Sequence, residues 1–367
     1  MTLNTNTSRM KRIAIFIPTL AGGGAESAMV ILARELSRRG FLVDLIIKKA
    51  QGELLVKVPS EVNIINFDVP AMRHTLTKLV RYINQKQPDT IISALELPNI
   101  VSILARILAK SKPQIIISIH GIISKQNPIY HKSLDRVIFK LLYPRADHIV
   151  AVSNICAQDA VKYLHLPHSK INVNYNPVID EGFYKRSKEL NLFSFPEKQN
   201  YKKILSIGRL EKVKDHQTLL LAFKEIQKKY YAKLIILGEG TYRMEISKWV
   251  NEMGLENDVI MPGFVQNPLP IMRESDVLIN ASKHESFSIV IVEALACHCP
   301  VVSTACGGPE EILANGKYGH LVPIGDHIAM AETVEKVFKG DLRLADNEWL
   351  IQFSVESNTQ KYVQLIS

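Results

Sequence analysis

The stretch Val277-Leu278-Ile279-Asn280-Ala281-Ser282-Lys283-His284-Glu285-Ser286-Phe287-Ser288 runs on into Ile289-Val290-Ile291-Val292-Glu293-Ala294-Leu295-Ala296. After it come Pro300-Val301-Val302-Ser303 and Gly307-Gly308-Pro309-Glu310-Glu311-Ile312. The pattern reads as strand, polar loop, helix, strand, glycine loop. A helix this apolar is buried on most sides, yet Glu293 interrupts it. A buried carboxylate is costly unless something binds it, so Glu293 is expected to face hydroxyl donors such as those of ribose or a sugar. The helix starts near Phe287 or Ser288, leaving unpaired N–H groups and the positive end of its dipole for an anion, with Glu285 just outside. The plainer alternative makes Glu293 a backbone partner within a core and Glu285 a solvated loop residue.

Outward from this stretch, apolar strand-like runs alternate with amphipathic helical runs, the pattern of parallel βαβ units. A first strand is expected over residues 13–18, followed by Gly22-Gly23-Gly24-Ala25-Glu26, a helix from Glu26 to about Arg39, and a strand over 42–47. The glycines let backbone approach a ligand at a helix N-terminus, although a tight turn would use them equally well. Further strands are expected at 89–93, 114–119 and 148–153, the second ending at His120, where open α/β sheets place ligands. A second series begins at Ile204-Leu205-Ser206-Ile207-Gly208-Arg209-Leu210 and continues at 234–238, 259–263, 277–280, 301–304 and 320–323. The fold class is therefore α/β: two doubly wound Rossmann-like domains, one at 1–180 and one at 201–348. A linker is expected at 181–200, and a helix at 349–367 returning toward the first domain.

Composition agrees with two globular domains. The chain has 367 residues, 47% hydrophobic and 22% charged, which excludes disordered and collagen-like classes. Four cysteines, Cys156, Cys297, Cys299 and Cys306, are too few and too clustered for a disulfide framework and suggest a reducing compartment. Cys297-His298-Cys299 lacks a second ligand pair, so packing is favoured over a metal site. Lys11 and Arg12 precede an apolar run too short for a signal peptide, and no segment approaches the roughly 20 apolar residues of a membrane span. The chain is expected to be cytoplasmic, on the inner face of a membrane.

Charge is unevenly spread. Residues 1–180 hold 23 Lys and Arg against 12 Asp and Glu, a balance of +11, out of +9 for the whole chain. That half is expected to face an anionic lipid surface. Nucleic acid is disfavoured, because no recognisable binding motif or aromatic platform accompanies the charge. Within it, the segment 130–143 carries Lys132, Arg136 and Lys140 at four-residue spacing, a basic stripe able to dock on lipid headgroups or simply to be solvated.

Arg209 and Lys214 lie just past a strand end, where an Arg fork and a Lys point charge can clamp a pyrophosphate. With Gly208, the Glu285-to-Glu293 spacing, Gly307-Gly308-Pro309-Glu310-Glu311-Ile312, Gly316 and Gly319, the sequence resembles the retaining GT-B glycosyltransferases of group 1, family 4. Gly22–Glu26, His120, Val152-Ser153 and Asn176-Pro177 extend the resemblance over nearly the whole chain.

The resemblance implies two Rossmann-like domains facing across a cleft and transfer from a nucleotide sugar with retention. Arg209 and Lys214 would hold the donor diphosphate and Glu293 the ribose. Glu285 with Ser286, Phe287 and Ser288 would hold the sugar and β-phosphate, Gly263 and Phe264 would meet the base, and Gly23 and Gly24 would lie near phosphate. His120 and Glu285 would act at the reaction centre. The family often has Phe-Gly after the first glutamate where this chain has Phe287-Ser288, which bears on the fit of the sugar. No cofactor or metal is implied, since the nucleotide sugar is a substrate. Similarity around Gly308–Leu313 points to UDP, and the acceptor would be a lipid-linked or lipopolysaccharide glycan. Competing readings are a nucleotide-sugar epimerase, a non-catalytic sugar-binding module, and a nicotinamide dehydrogenase in which Asp44, about 20 residues past the glycines, binds ribose.

Overall fold

The computed structural model describes residues 9–125, 132–190 and 201–366. The chain divides into two compact units, one of residues 1–177 with 355–367 and the other of residues 178–354.

The first unit is built on a parallel sheet of seven strands: β1 Arg12–Ile17, β2 Leu42–Ile47, β3 Asn63–Asn66, β4 Thr90–Ala94, β5 Gln114–Ile119, β6 His148–Ala151 and β7 Ile171–Val173. Their order is β3-β2-β1-β4-β5-β6-β7. Isoleucine-rich runs such as Ile13-Ala14-Ile15-Phe16-Ile17 are buried throughout, because helices cover both faces of a parallel sheet. Ile13, Ile15 and Ile17 pack with Leu32 and Leu36 of the helix Gly24–Arg38 and with Tyr362 and Ile366 of the helix Val355–Ile366. β3 and β7 carry no clear sequence signal. They are short edge strands whose apolar residues are flanked or interrupted by asparagine.

The second unit repeats the plan with six parallel strands: β8 Lys202–Ile207, β9 Ala232–Leu237, β10 Val259–Gly263, β11 Val277–Asn280, β12 Val301–Thr304 and β13 His320–Val322. Their order is β10-β9-β8-β11-β12-β13. In both sheets the order reverses once, between β1 and β4 and between β8 and β11. Such a switch point leaves a crevice at the carboxyl ends of the two strands.

The boundaries differ from those expected. Residues 183–186 form a short helix, Phe183–Arg186, inside the second unit, and 191–200 of the expected linker lie outside the described residues. The segment 349–367 is not one helix. Asn347–Ile351 belongs to the second unit, where Val178 N–H donates to Phe353 O, and the chain passes to the first unit at 354/355.

Candidate active site

In the second unit, β8 ends at Ile207 and β11 at Asn280, so the loops after them emerge on either side of the switch point. The loop after β8 carries Arg209 and Lys214; the loop after β11 carries Glu285. The structure brings Lys214 and Glu285 together, with Lys214 Nζ 2.5 Å from Glu285 Oε1. Gly208 keeps the path open, since a Cβ there would stand 3.3 Å from Lys214 Cε.

Glu285 is held on several sides. Ser282 Oγ lies 2.8 Å from its Oε1 and 2.7 Å from Asn280 Oδ1, so the hydroxyl proton serves one acceptor at a time. Its backbone N–H donates to Cys306 O, and its carbonyl accepts from Gly308 N–H at 2.8 Å. Gly307 and Gly308 make this seam possible. Gly307 has φ 114°, and a Cβ on Gly308 would fall 2.8 Å from Phe287 Cα and N, closer than any real contact. Glu310 closes the loop by accepting from Gly307 N–H at 2.8 Å.

Ser286, Phe287 and Ser288 follow directly, and Ser288 is the N-cap of the helix Ile289–Ala296, with no side-chain cap hydrogen bond. The first N–H groups of that helix are therefore available to a ligand. Glu293 lies in the same helix and is half-buried. Burial raises its pKa to about 7, opposed by the positive charge of Arg186. Its carboxyl makes no hydrogen bond to another described residue, so the helix does not use it as a backbone partner. Arg186 is itself held by Asp180 at 2.9 Å. Arg209 is exposed and forms no ion pair among the described residues. Gly263 ends β10 with φ 94°, and its carbonyl accepts from Gly238 N–H, leaving Phe264 65% exposed beside it.

The remaining expected residues belong to the first unit. Gly23 is the N-cap of Gly24–Arg38, and the N-terminal turn of that helix faces solvent at Gly24. His120 follows β5 and its Nε2 lies 3.0 Å from Ser118 Oγ, which also receives Tyr362 Oη at 3.4 Å. Burial lowers the His120 pKa to about 4, so the ring is neutral near neutral pH.

Several expectations are settled by side-chain contacts. Asp44 is buried and already saturated, ion-paired to Arg12 at 2.8 Å and accepting from Tyr82 Oη at 2.6 Å and Asn63 Nδ2 at 2.7 Å. It cannot serve a nicotinamide ribose, which removes the dehydrogenase reading. Cys297 and Cys299 turn their thiols inward toward Leu269 O and Ser275 O while His298 points out, so the three share no common point. On the helix Lys132–Leu142 one cation of the expected basic stripe, Arg136, is engaged by a neighbouring helix. Arg136 is folded onto the Tyr163 ring at 4.8 Å and donates to Tyr163 O, and among the described side chains Leu134, Val137 and Leu141 are the exposed ones. The Lys132 side chain and residue 130 lie outside the described residues.

Sequence reading missed Arg186, placed in the expected linker, and the pair Gly238 and Gly240. A Cβ on Gly238 would strike Gly208 O at 2.0 Å, and one on Gly240 would strike Leu210 O at 2.3 Å. The available signal was Gly-Glu-Gly directly after a strand.

Two family profiles match the chain, Glycosyltransferase Family 4 over residues 22–181 and Glycosyl transferases group 1 over residues 187–348. The N-acetylgalactosamine-N,N'-diacetylbacillosaminyl-diphospho-undecaprenol 4-alpha-N-acetylgalactosaminyltransferase of Campylobacter jejuni is 30% identical over 347 residues, 90% of this chain and 91% of that protein. The chain belongs to the group 1 glycosyltransferases. A second Campylobacter jejuni protein, GalNAc-alpha-(1->4)-GalNAc-alpha-(1->3)-diNAcBac-PP-undecaprenol alpha-1,4-N-acetyl-D-galactosaminyltransferase, is 29% identical over 90% of both chains. Among solved structures, a glycosyltransferase from Rickettsia africae superposes with a TM-score of 0.81 at 19% identity over 98% of each chain. Anabaena HepE in complex with UDP gives 0.78 at 19% identity, over 97% of this chain and 99% of its own. The fold is GT-B, and this glycosyltransferase builds both Rossmann-like units from its own sequence. Among the described residues no helix is long and apolar enough to cross a membrane.

Proposed function

We propose that this glycosyltransferase moves a hexose or N-acetylhexosamine from a UDP-sugar to a hydroxyl of a lipid-linked or cell-surface glycan, with retention and without a metal. The observation that carries this reading is Glu293, a half-buried carboxyl with no hydrogen-bond partner among the described residues, in the helix that begins beside the Lys214–Glu285 pair. A vicinal diol supplies the two donors that such a carboxyl lacks. The relatives support the chemistry: two are named as N-acetylgalactosaminyltransferases acting on diphospho-undecaprenol glycans, and HepE was solved with UDP and with UDP-glucose.

In this reading Lys214 turns from Glu285 to the donor diphosphate, joined by Arg209 and the N–H groups at Ser288–Ile291. Preorganised donors of this kind stabilise the charge that grows as the C1–O bond breaks. Glu285, released from Lys214, accepts from a hydroxyl of the sugar. The acceptor oxygen bonds to C1 on the face the diphosphate leaves, and its proton ends on the departing phosphate. Gly263 and Phe264 offer backbone and an exposed ring to the base. Gly23, Gly24 and His120 belong to the first unit's own ligand surface, where His120, a neutral imidazole, can exchange one hydrogen bond with a hydroxyl.

We assign the acceptor to the first unit, and the exposed row Leu134, Val137 and Leu141, on the unit with the +11 balance, to the inner face of the cytoplasmic membrane. The test of the donor site is thermal stabilisation by UDP and UDP-sugars, where a ligand at 100 times its dissociation constant adds about 2.7 kcal/mol. Stabilisation that persists with chelator and disappears in Glu293→Ala and Lys214→Ala is the expected result. An inverted product anomer by NMR would overturn the retaining mechanism.

A further inference from the structure

A cavity of about 430 Å³ in this unit is lined by none of the residues assigned to the donor. It opens between the first turns of the helices His216–Gln227 and Arg243–Glu252, and Trp249, Tyr242, His216, Glu245, Gln217 and Lys212 line it. Its volume is that of a small-molecule site, about 300–1,000 Å³.

His216 is 5% exposed, yet its ring makes no hydrogen bond within the described residues, although it borders the cavity. The ring nitrogens therefore open on the cavity, where a ligand hydroxyl can replace water as their partner. Tyr242 and Trp249 pack on the core with one side each and remain partly exposed. Glu245 and Gln217 form no pair with other described residues, whereas Asp215 is held by Thr218 and Lys283. The walls therefore combine aromatic surface with a carboxylate, an amide and a neutral imidazole, and their acidic and basic groups nearly balance. A polyanion gains little there. A sugar ring stacks its apolar face on an aromatic ring and spends its hydroxyls on such polar groups.

We propose that this cavity is a saccharide-binding site, separate from the donor site, that holds a neutral sugar residue of a glycan on the donor-binding unit. It rests on the glycosyltransferase reading only in its choice of glycan.

The test is saturation-transfer NMR of methyl N-acetylgalactosaminide and methyl glucoside on the full chain with the donor site filled by saturating UDP. Saturable binding that weakens at least tenfold in Glu245→Ala and in Trp249→Phe, while UDP still stabilises both variants, is the expected result. No saturable binding to the wild type, or binding by both variants as tight as by the wild type, overturns the site. Failure of UDP to stabilise the wild type strikes the donor assignment instead, and the titration is then run without UDP. His216→Asn, which keeps one donor and one acceptor, separates loss of hydrogen bonding from loss of fold.

Discussion

Lys214 Nζ and Glu285 Oε1 stand 2.5 Å apart although their residues emerge from β8 and β11, the two strands that flank the switch point of the second sheet. The side chains are only 22% and 10% exposed, so each neutralises a charge that water reaches poorly. In the proposed mechanism the pair keeps a phosphate-binding cation and a sugar-binding anion in register until the donor separates them.

Replacing Lys214 with Ala is expected to lower kcat/KM by about 100-fold or more, the usual loss on deleting one preorganised donor to a growing oxyanion. Release of UDP in a coupled assay measures it. Glu285→Gln keeps the Ser282 contact but not the charge, so its loss should fall mainly on kcat. A variant with full activity would remove the pair from the mechanism.

Nucleotide affinity should depend on the ionisation of Glu293. Its pKa stands near 7 in the free protein, and ribose hydroxyls donate best to a carboxylate. UDP binding is expected to strengthen from pH 6 to pH 8 and to release a proton, which titration calorimetry in two buffers of different ionisation enthalpy detects. Glu293→Gln should flatten the profile. In the unliganded protein the sign is opposite: the native state holds this proton above the ordinary value near 4.5, so the contribution to stability declines as pH rises from about 4.5 through 7.

His120 and His216 act in the other direction. Burial lowers each from 6.5 to about 4, so the unfolded chain takes up protons first. Stability from these groups is complete above pH 6.5 and is lost as pH falls through 4, on the order of 3 kcal/mol each. Urea midpoints at pH 7.5 and 5.0 should separate clearly. Asparagine at both positions should narrow the gap.

Gly308→Ala places a methyl 2.8 Å from Phe287 backbone. The loop after β11 must then move off the glycine loop, at a cost of about 1–3 kcal/mol in stability. A lowered Tm with a raised donor KM is the expected outcome, and a variant with unchanged donor KM would show that the seam does not shape the donor site.

Serine at Leu134, Val137 and Leu141 together should abolish flotation with anionic liposomes while leaving Tm nearly unchanged, because these side chains are more than half exposed. Salt should weaken wild-type binding, as basic surfaces lose attraction with screening. Binding that ignores both changes would move the membrane contact elsewhere.

The sequence by itself determined the layered plan. Period-two and continuous apolar runs at 13–17, 204–207 and 277–280 locate interior strands, because a strand buried on both faces has to be apolar along its length. It also singled out Glu285 and the glycines Gly307 and Gly308, which the fold brings together in one seam, and Glu293 as a carboxyl in an apolar helix. Tertiary structure decided what such local signals cannot carry. Only the sheet order brings Lys214 to Glu285 across 71 residues of chain, and only packing shows that Asp44 is consumed by Arg12, Tyr82 and Asn63. Arg136 has the same spacing as a docking cation, but the Tyr163 ring holds it, and the exposed side chains described on its helix, Leu134, Val137 and Leu141, are apolar. Periodicity specifies which faces are buried; which partner each polar group meets depends on contacts between residues far apart in the chain.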